Sequence, residues 1–316
     1  MARAVAFPRS SPARIALAFA AVYLIWGSTY LTIRIAIETI PPMLMSATRF
    51  LIAGLILFAV TYRPGARHEH LTRRQWRDAL IIGGCLLLGG NGIVSWGEQY
   101  VGSGYMALIV GSVPLWMALL APAFGGRRVT ALAGVGVAVG LAGVGLLVHP
   151  SGASIHWQSI AVLGSPLLWS IGSLYAQRAA MPRNALTATA MEMICGGLLM
   201  GIVGLAAGEA GRVHVASISG ASWIAFVYLI AFGSLIGYTC YIWLLGHVSS
   251  TAVSTYAYVN PLVAVVLGAI VLGEAITPVT LGAGAMIIFA VALILSSRAL
   301  QSRHKTVLEP AISDVA

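Results

Sequence analysis

Apolar runs of about 20 residues alternate with short polar breaks along nearly the whole chain, each long enough to cross a hydrocarbon core of about 30 Å as a helix. Ten runs are legible: 15–36, 43–62, 79–96, 104–124 and 130–148 in the first half, then 158–176, 185–207, 222–243, 252–272 and 279–297 in the second. No connection is long enough for a soluble domain. The two tails are polar or contain proline and are expected to be loose. The predicted fold class is an all-α polytopic membrane protein with ten transmembrane helices.

The runs repeat. At a shift of 147 residues, Trp96 falls on Trp243, and Ser112-Val113-Pro114-Leu115 falls on Val259-Asn260-Pro261-Leu262. At a shift of 143, Trp26 falls on Trp169 and Arg49 on Glu192. The chain therefore reads as a tail (1–13), a five-helix block (14–148), a second five-helix block (149–298) and a second tail (299–316). An odd number of spans sends the second block into the bilayer from the opposite side. The result is two inverted five-helix repeats, the usual construction of a secondary transporter.

Composition agrees. Of 316 residues, 59% are hydrophobic and 9% charged, against about 25% charged in soluble domains. The net charge of +9 would suggest nucleic acid in a soluble protein, but here it has another cause. Fifteen of the 18 Lys and Arg residues fall on one side of the expected topology: in the tails, in the 2–3 connection (Arg63, Arg67, Arg73, Arg74, Arg77), and at Arg127, Arg128, Arg178 and Arg183. This positive-inside asymmetry puts both termini in the cytoplasm and supports an even number of spans, and no nucleic-acid partner is expected. The first run is too long for a cleaved signal peptide and contains Arg34. Cys85, Cys195 and Cys240 lie inside runs and read as small packing residues, not as a disulfide framework or metal site.

Enzyme signatures are missing. The single lysine, Lys305, is in the tail, and neither G-x-S-x-G nor H-E-x-x-H occurs. No cofactor or metal is expected; His68-Glu69-His70 reads as a solvated loop. Gly136 and Gly140, four apart, let helix backbones approach, most simply within the molecule.

Several runs look interrupted at membrane depth: Gly89-Gly90-Asn91-Gly92 in the third, and Pro114 and Pro261 at repeat-equivalent places in the fourth and ninth. Non-helical backbone survives there only where protein or a water-filled cavity covers it, so such breaks point to a binding site. Trp26, Tyr30, Asn91, Trp169, Tyr238, Tyr256 and Asn260 cluster near them and, with the prolines, are the candidate lining of a cavity. That lining suits aromatic or amphipathic small molecules and suits phosphates poorly. Trp157 and Trp223, at span edges, read as interfacial. Two charges lie deep. Arg49 and Glu192 are each roughly 10 Å into a span from opposite faces, so a direct pair would need helix tilt. Glu192, a proton-coupling candidate, reads as the one carboxylate well inside a run. Arg34 and Glu38 look like a surface pair, and Glu98 and Glu274 look solvated.

Taken together, Tyr23–Tyr30, Pro41-Pro42, Arg49-Phe50, Gly90-Asn91-Gly92, Val113-Pro114-Leu115, Ser254–Leu262 and Gly273-Glu274 resemble the EamA family of the drug/metabolite transporter superfamily, near its YedA-like inner-membrane permeases. The resemblance covers residues 14–298. It implies a central cavity lined by the first, third, fourth, sixth, eighth and ninth helices, with the fifth and tenth peripheral. It also implies export of amino acids, aromatic compounds or drugs. The expected function is a secondary transporter exporting small metabolites, amino acids or drugs by alternating access. A passive facilitator with the same cavity is the alternative, and a membrane-embedded enzyme or sensor a more distant one.

Overall fold

The computed structural model describes residues 11–62, 70–125, 130–148, 157–248 and 250–313. Ten apolar helices fill it: α1 (Pro12–Ala36), α2 (Pro42–Thr61), α3 (Arg73–Gly97), α4 (Ser103–Phe124), α5 (Ala131–Val148), α6 (Trp157–Ala176), α7 (Ala185–Ala206), α8 (Gly220–His247), α9 (Tyr256–Leu272) and α10 (Pro278–Ser313). The face carrying both termini is called inner below. Residues 63–69, with His68 and Glu69, and the Arg127-Arg128 pair lie outside the described residues.

Local signals set the helix starts. Ser11 accepts from the Arg14 N–H, with Pro12 in the first turn. Thr72 and Gln75 form a reciprocal capping box on α3. Asn184 caps α7 and Ser219 caps α8. Gly273, at φ 66°, ends α9 in the left-handed conformation that a β-carbon disfavours. Large apolar side chains such as Leu17, Ile224 and Ile270 stand 72%, 74% and 75% exposed, which only a lipid solvent makes favourable. Trp157 and Trp223, also exposed, sit at the starts of α6 and α8, as interfacial residues do.

The packing is two-fold. α2 pairs with α7, α5 with α10, and α4 with α9. α1 packs on α8 and α9, and α6 does the same on α3 and α4. Individual contacts repeat under the sequence shifts. Gly54 lies against Ile194, and Gly197 against Leu51. Gly136 lies against Ala290, and Gly143 against Ala283. Gly90 sits under the Trp169 ring, and Gly237 under the Trp26 ring. Trp96 packs on Tyr100, and Trp243 on His247. In the α2–α7 pair, Leu44 meets Gly204 while Gly54 meets Met193, so these equivalent helices run antiparallel. A two-fold axis relating antiparallel spanning helices lies in the membrane plane, which makes the repeats inverted. Gly136 and Gly140 both serve the α5 contact with α10 and α4, as intramolecular packing requires.

Helix interruptions differ from expectation in one half. The Gly-rich stretch of α3 is π-helical over Gly84–Gly92. Its counterpart is a π-helical Leu229–Ile236 in α8, which the sequence did not announce. Shifted by 147, the first segment overlaps the second. α4 breaks at Gly111-Ser112, so Pro114 falls in the first turn of a new segment, where its missing N–H costs nothing. Pro261 breaks nothing: α9 runs through it. One turn upstream the chain tightens, with the Ala257 and Tyr258 N–H groups bonding three residues back to Ser254 and Thr255. At the other end, α10 continues as helix to Ser313, past the expected limit near Ser297.

Candidate functional site

Trp26 is the centre of an aromatic cluster. Its ring stands 5.2 Å from Tyr238, 5.1 Å from Tyr241 and 5.4 Å from Tyr256, and Tyr241 stands 5.9 Å from Tyr256. Its Nε1 donates to the Gly233 carbonyl at 3.2 Å, inside the π-helical part of α8. There the register widens and helical carbonyls become free to take other donors. The four rings come from α1, α8 and α9, and each keeps some accessible surface. Tyr30, one turn further along α1, is within electrostatic reach of Tyr256. Sequence reasoning missed Tyr241. Its only signal is that it lies three residues from Tyr238, on the same face of α8.

Trp169 does not join the cluster. It occupies the symmetry-related place, over Gly90 in α3, where a β-carbon would come within 2.6 Å of the ring. Ser165 donates to the Gly90 carbonyl at 3.1 Å, and Ser170 to the Val113 carbonyl at 3.1 Å, beside Pro114. In the other half Gly27 replaces Ser170 and approaches the Asn260 carbonyl instead. The Asn260 amide, oriented to suit its neighbours, donates to the Tyr256 and Tyr23 carbonyls at 3.3 Å each. Pro114, Asn260 and Pro261 are all buried in these helix contacts, with Pro261 against Gly111. These three expected lining residues therefore present packing, while Trp26, Tyr30, Asn91, Trp169, Tyr238 and Tyr256 retain surface.

Arg49 and Glu192 do not pair; no ion pair joins them among the described residues. Arg49 is 3% exposed. Its Nε donates to Ser234 Oγ at 2.9 Å, its guanidinium stands 4.6 Å from the Phe50 ring centroid, and Nη1 has no partner. A guanidinium at this depth calls for several acceptors. The structure supplies one hydroxyl and an aromatic face, because α8 brings Gly233 and Ser234 against α2 and leaves room only where a side chain is missing. Both charges act on Tyr238, which also lies beside Asn91. Tyr238 thus links Trp26, Asn91, Arg49 and Glu192, drawing α1, α2, α3 and α7 to one place on α8.

Glu98, Glu209, Glu274 and Asp78 are buried or half-buried, while Glu38 is exposed. Glu98 is fully buried, and Arg34 turns from Glu38 to donate to the Glu98 backbone carbonyl. Glu274 accepts from the Ser103 and Gly104 N–H groups at 2.7 and 3.0 Å, at the start of α4. Glu209 does the same for Met43 and Leu44 at the start of α2, at 3.3 and 2.9 Å. At the inner end Asp78 is 2% exposed and accepts from Tyr175 Oη and the Ala180 N–H. Glu192 is thus not the one enclosed carboxylate. The others hide at helix ends, where connections fold over them, and span counting does not see it. Beside Glu209 lies an outer cleft of about 390 Å³ between Met43, Trp96, Tyr100 and Val203. No three His, Cys, Asp or Glu side chains converge on a metal site among the described residues.

The sequence pattern of the EamA-like transporter family matches residues 13–149 and again 156–296. The inner membrane transporter YedA of Escherichia coli K12 is 38% identical over 300 residues, covering 94% of this chain and 95% of YedA. Protein PagO of Salmonella typhimurium is 26% identical, covering 83% of this chain and 86% of its own. Transporter YvbV of Bacillus subtilis is 25% identical, covering 89% and 91%. A crystal structure matches with a TM-score of 0.62 at 21% identity, over 92% of this chain and 99% of that one.

Proposed function

The chain belongs to the EamA-like transporter family, and from that premise we propose that it exports small aromatic or amphipathic metabolites, amino acids or drugs across the cytoplasmic membrane by alternating access. One observation carries this reading. Four partly exposed rings, Trp26, Tyr238, Tyr241 and Tyr256, meet beside a π-helical segment that has a symmetry-related twin. Aromatic faces bind flat apolar bodies, and tyrosine hydroxyls bind their polar ends. Paired irregular segments supply carbonyls and hinges on both sides of such a site.

Inverted repeats give alternation a physical basis, since two conformations related by exchanging the repeats are close in energy. Glu192 is the proposed proton carrier for uphill export, and Arg49 holds α8 against α2. Both termini belong in the cytoplasm on the arginine count, so the inner face is the cytoplasmic one.

The test compares metabolites inside cells and in the medium for overexpressing and deletion strains, followed by vesicle flux of the compound found. Export that depends on Trp26 and Tyr256 is the expected result. Accumulation inside overexpressing cells, or flux indifferent to both substitutions, overturns it.

A further inference from the structure

At the outer end of α3 a carboxylate stands without a partner. Glu98 caps the helix, its side chain is 0% exposed, and neither Oε1 nor Oε2 receives a hydrogen bond. Ser103 Oγ, also fully buried, is unpartnered too. Ser103 Oγ and Glu274 Oε2 border the same space above Gly268, where a β-carbon would come within 2.8 and 2.6 Å of them. Buried polar atoms without partners are rare, and each needs a cause.

Among the described residues, the titratable and charged groups acting on Glu98 come from two elements. α1 contributes Tyr30 and Arg34; the α9–α10 connection contributes Glu274. Arg34 donates to the Glu98 backbone carbonyl, not to its carboxylate. Glu274 is engaged by two N–H groups of α4. An ionised Glu98 would thus be an undonated anion, out of water and next to a second anion. Burial first, and then Glu274, hold its carboxyl well above the usual range, with Arg34 opposing.

We propose that Glu98 is a proton-binding site of the outer gate, holding its proton while Glu274 clasps α4 and releasing it to external water when that clasp opens. The release is a simple ionisation, carboxylic acid to carboxylate plus a hydrated proton, and needs no other reactant. It rests on the transport reading only in taking the outer end to open. Closure removes water from Glu98 and favours the neutral acid. Opening hydrates the carboxylate and favours the anion. Protonation and closure therefore promote each other. The site has no twin: the repeat-equivalent residue is Leu245, so the device belongs to one end of the molecule.

The test uses the full chain in lipid nanodiscs without substrate, with infrared titration of the carboxylic acid C=O stretch. The wild type should show an acid band at neutral pH that Glu98→Gln removes and Glu192→Gln does not. Glu274→Gln keeps Glu98 but removes the neighbouring anion and the clasp, so the band should titrate at lower pH. This variant also decides the matter if Glu98→Gln fails to fold. In a protein lacking Cys85, Cys195 and Cys240, Ser103→Cys should react with a membrane-impermeant thiol reagent faster as pH rises, more steeply than thiolate formation alone gives. One linked proton adds up to about tenfold per pH unit to that intrinsic rise. Adding Glu98→Gln should leave only the intrinsic rise. Absence of a Glu98 acid band at neutral pH overturns the proposal, as does a band that sodium ions abolish, which would make this a metal-cation site. None of these readouts involves transport, so their failure leaves the export reading standing, and the converse holds.

Discussion

An alanine at Gly83 tests a crossing where two helix backbones meet directly. Its methyl would stand 2.5 Å from the Glu192 carbonyl oxygen and 2.8 Å from the Gly196 nitrogen. Both are backbone atoms of α7, so neither can rotate away; α3 and α7 must separate. Ala is favoured over Gly in a helix by about 1 kcal/mol. Overpacking costs about 1–3 kcal/mol, and a backbone obstacle belongs at the upper end. The net is a loss of about 2 kcal/mol, or roughly 4–8 °C in Tm on the scale of 150–250-residue proteins, less for a longer chain. Gly282, in α10, has no heavy atom within 4 Å of its would-be β-carbon. Alanine there should leave Tm unchanged or raise it slightly. The assay is heating the full chain in mild detergent and measuring the fraction that stays monodisperse. The signs of the two shifts should differ. Gly83→Ala as stable as Gly282→Ala would refute the backbone contact, and with it the α3–α7 crossing that places Glu192.

Glu192→Gln should preserve substrate exchange and abolish uphill export driven by a pH gradient; accumulation with an unchanged pH dependence would make Glu192 structural. Arg49→Lys should lower Tm, because an ammonium cannot both bond Ser234 and lie flat on Phe50, and Arg49→Ala should lower it further by also losing a cation–π contact of about 0.5–2 kcal/mol. Normal folding and flux in Arg49→Ala would show that these contacts carry nothing. Asp78→Asn weakens the acceptor for Tyr175 and Ala180, so a cysteine near Ala180 should label faster from the inner face; an unchanged rate would remove Asp78 from the gate.

Much of the architecture was legible because lipid imposes it. A spanning helix needs about 20 apolar residues, and the run of Trp and Pro pairs carried the duplication. Trp26, Tyr238 and Tyr256 were readable as a group because they lie near interruptions. The π-helical segment of α8 was not. Leu229–Ile236 holds a single glycine and no proline, and its widened register answers partners distant in sequence, Trp26 at Gly233 and Arg49 at Ser234. Glu274 was misread, and Glu209 passed over, for a related reason. Glu209 and Glu274 cap helices that begin 166 and 171 residues earlier. Nothing in a window around either residue shows that its connection folds across the bundle. The proline match misled in the opposite direction, since Pro114 opens a new helical segment while Pro261 lies inside a continuous one.

Backbone symmetry and charge asymmetry together bear on which end opens. If the repeats were identical, the two access states would be equal in energy. They are not identical, and the differences sit in the clasps. Outside, Glu209 and Glu274 from the second repeat hold four N–H groups at the starts of α2 and α4, where the helix dipole also favours an anion. Inside, Asp78 holds one N–H and one hydroxyl across the repeats. A hydrogen bond to a charged group contributes about 1.5–3 kcal/mol net of rehydration. Two more of them outside than inside bias the chain on the order of 3 kcal/mol toward a shut outer end. Only such differences between states shift a conformational equilibrium. On the proposed placement of the termini in the cytoplasm, that bias would leave the empty protein shut to the outside and free to load from the cytoplasm, which suits the proposed export and would handicap import. Weakening both clasps together, as Glu209→Gln with Glu274→Gln, should therefore raise outer-face labelling while slowing export more than exchange. Faster export from the double variant would show that the outer clasps are a brake and not a setting of direction.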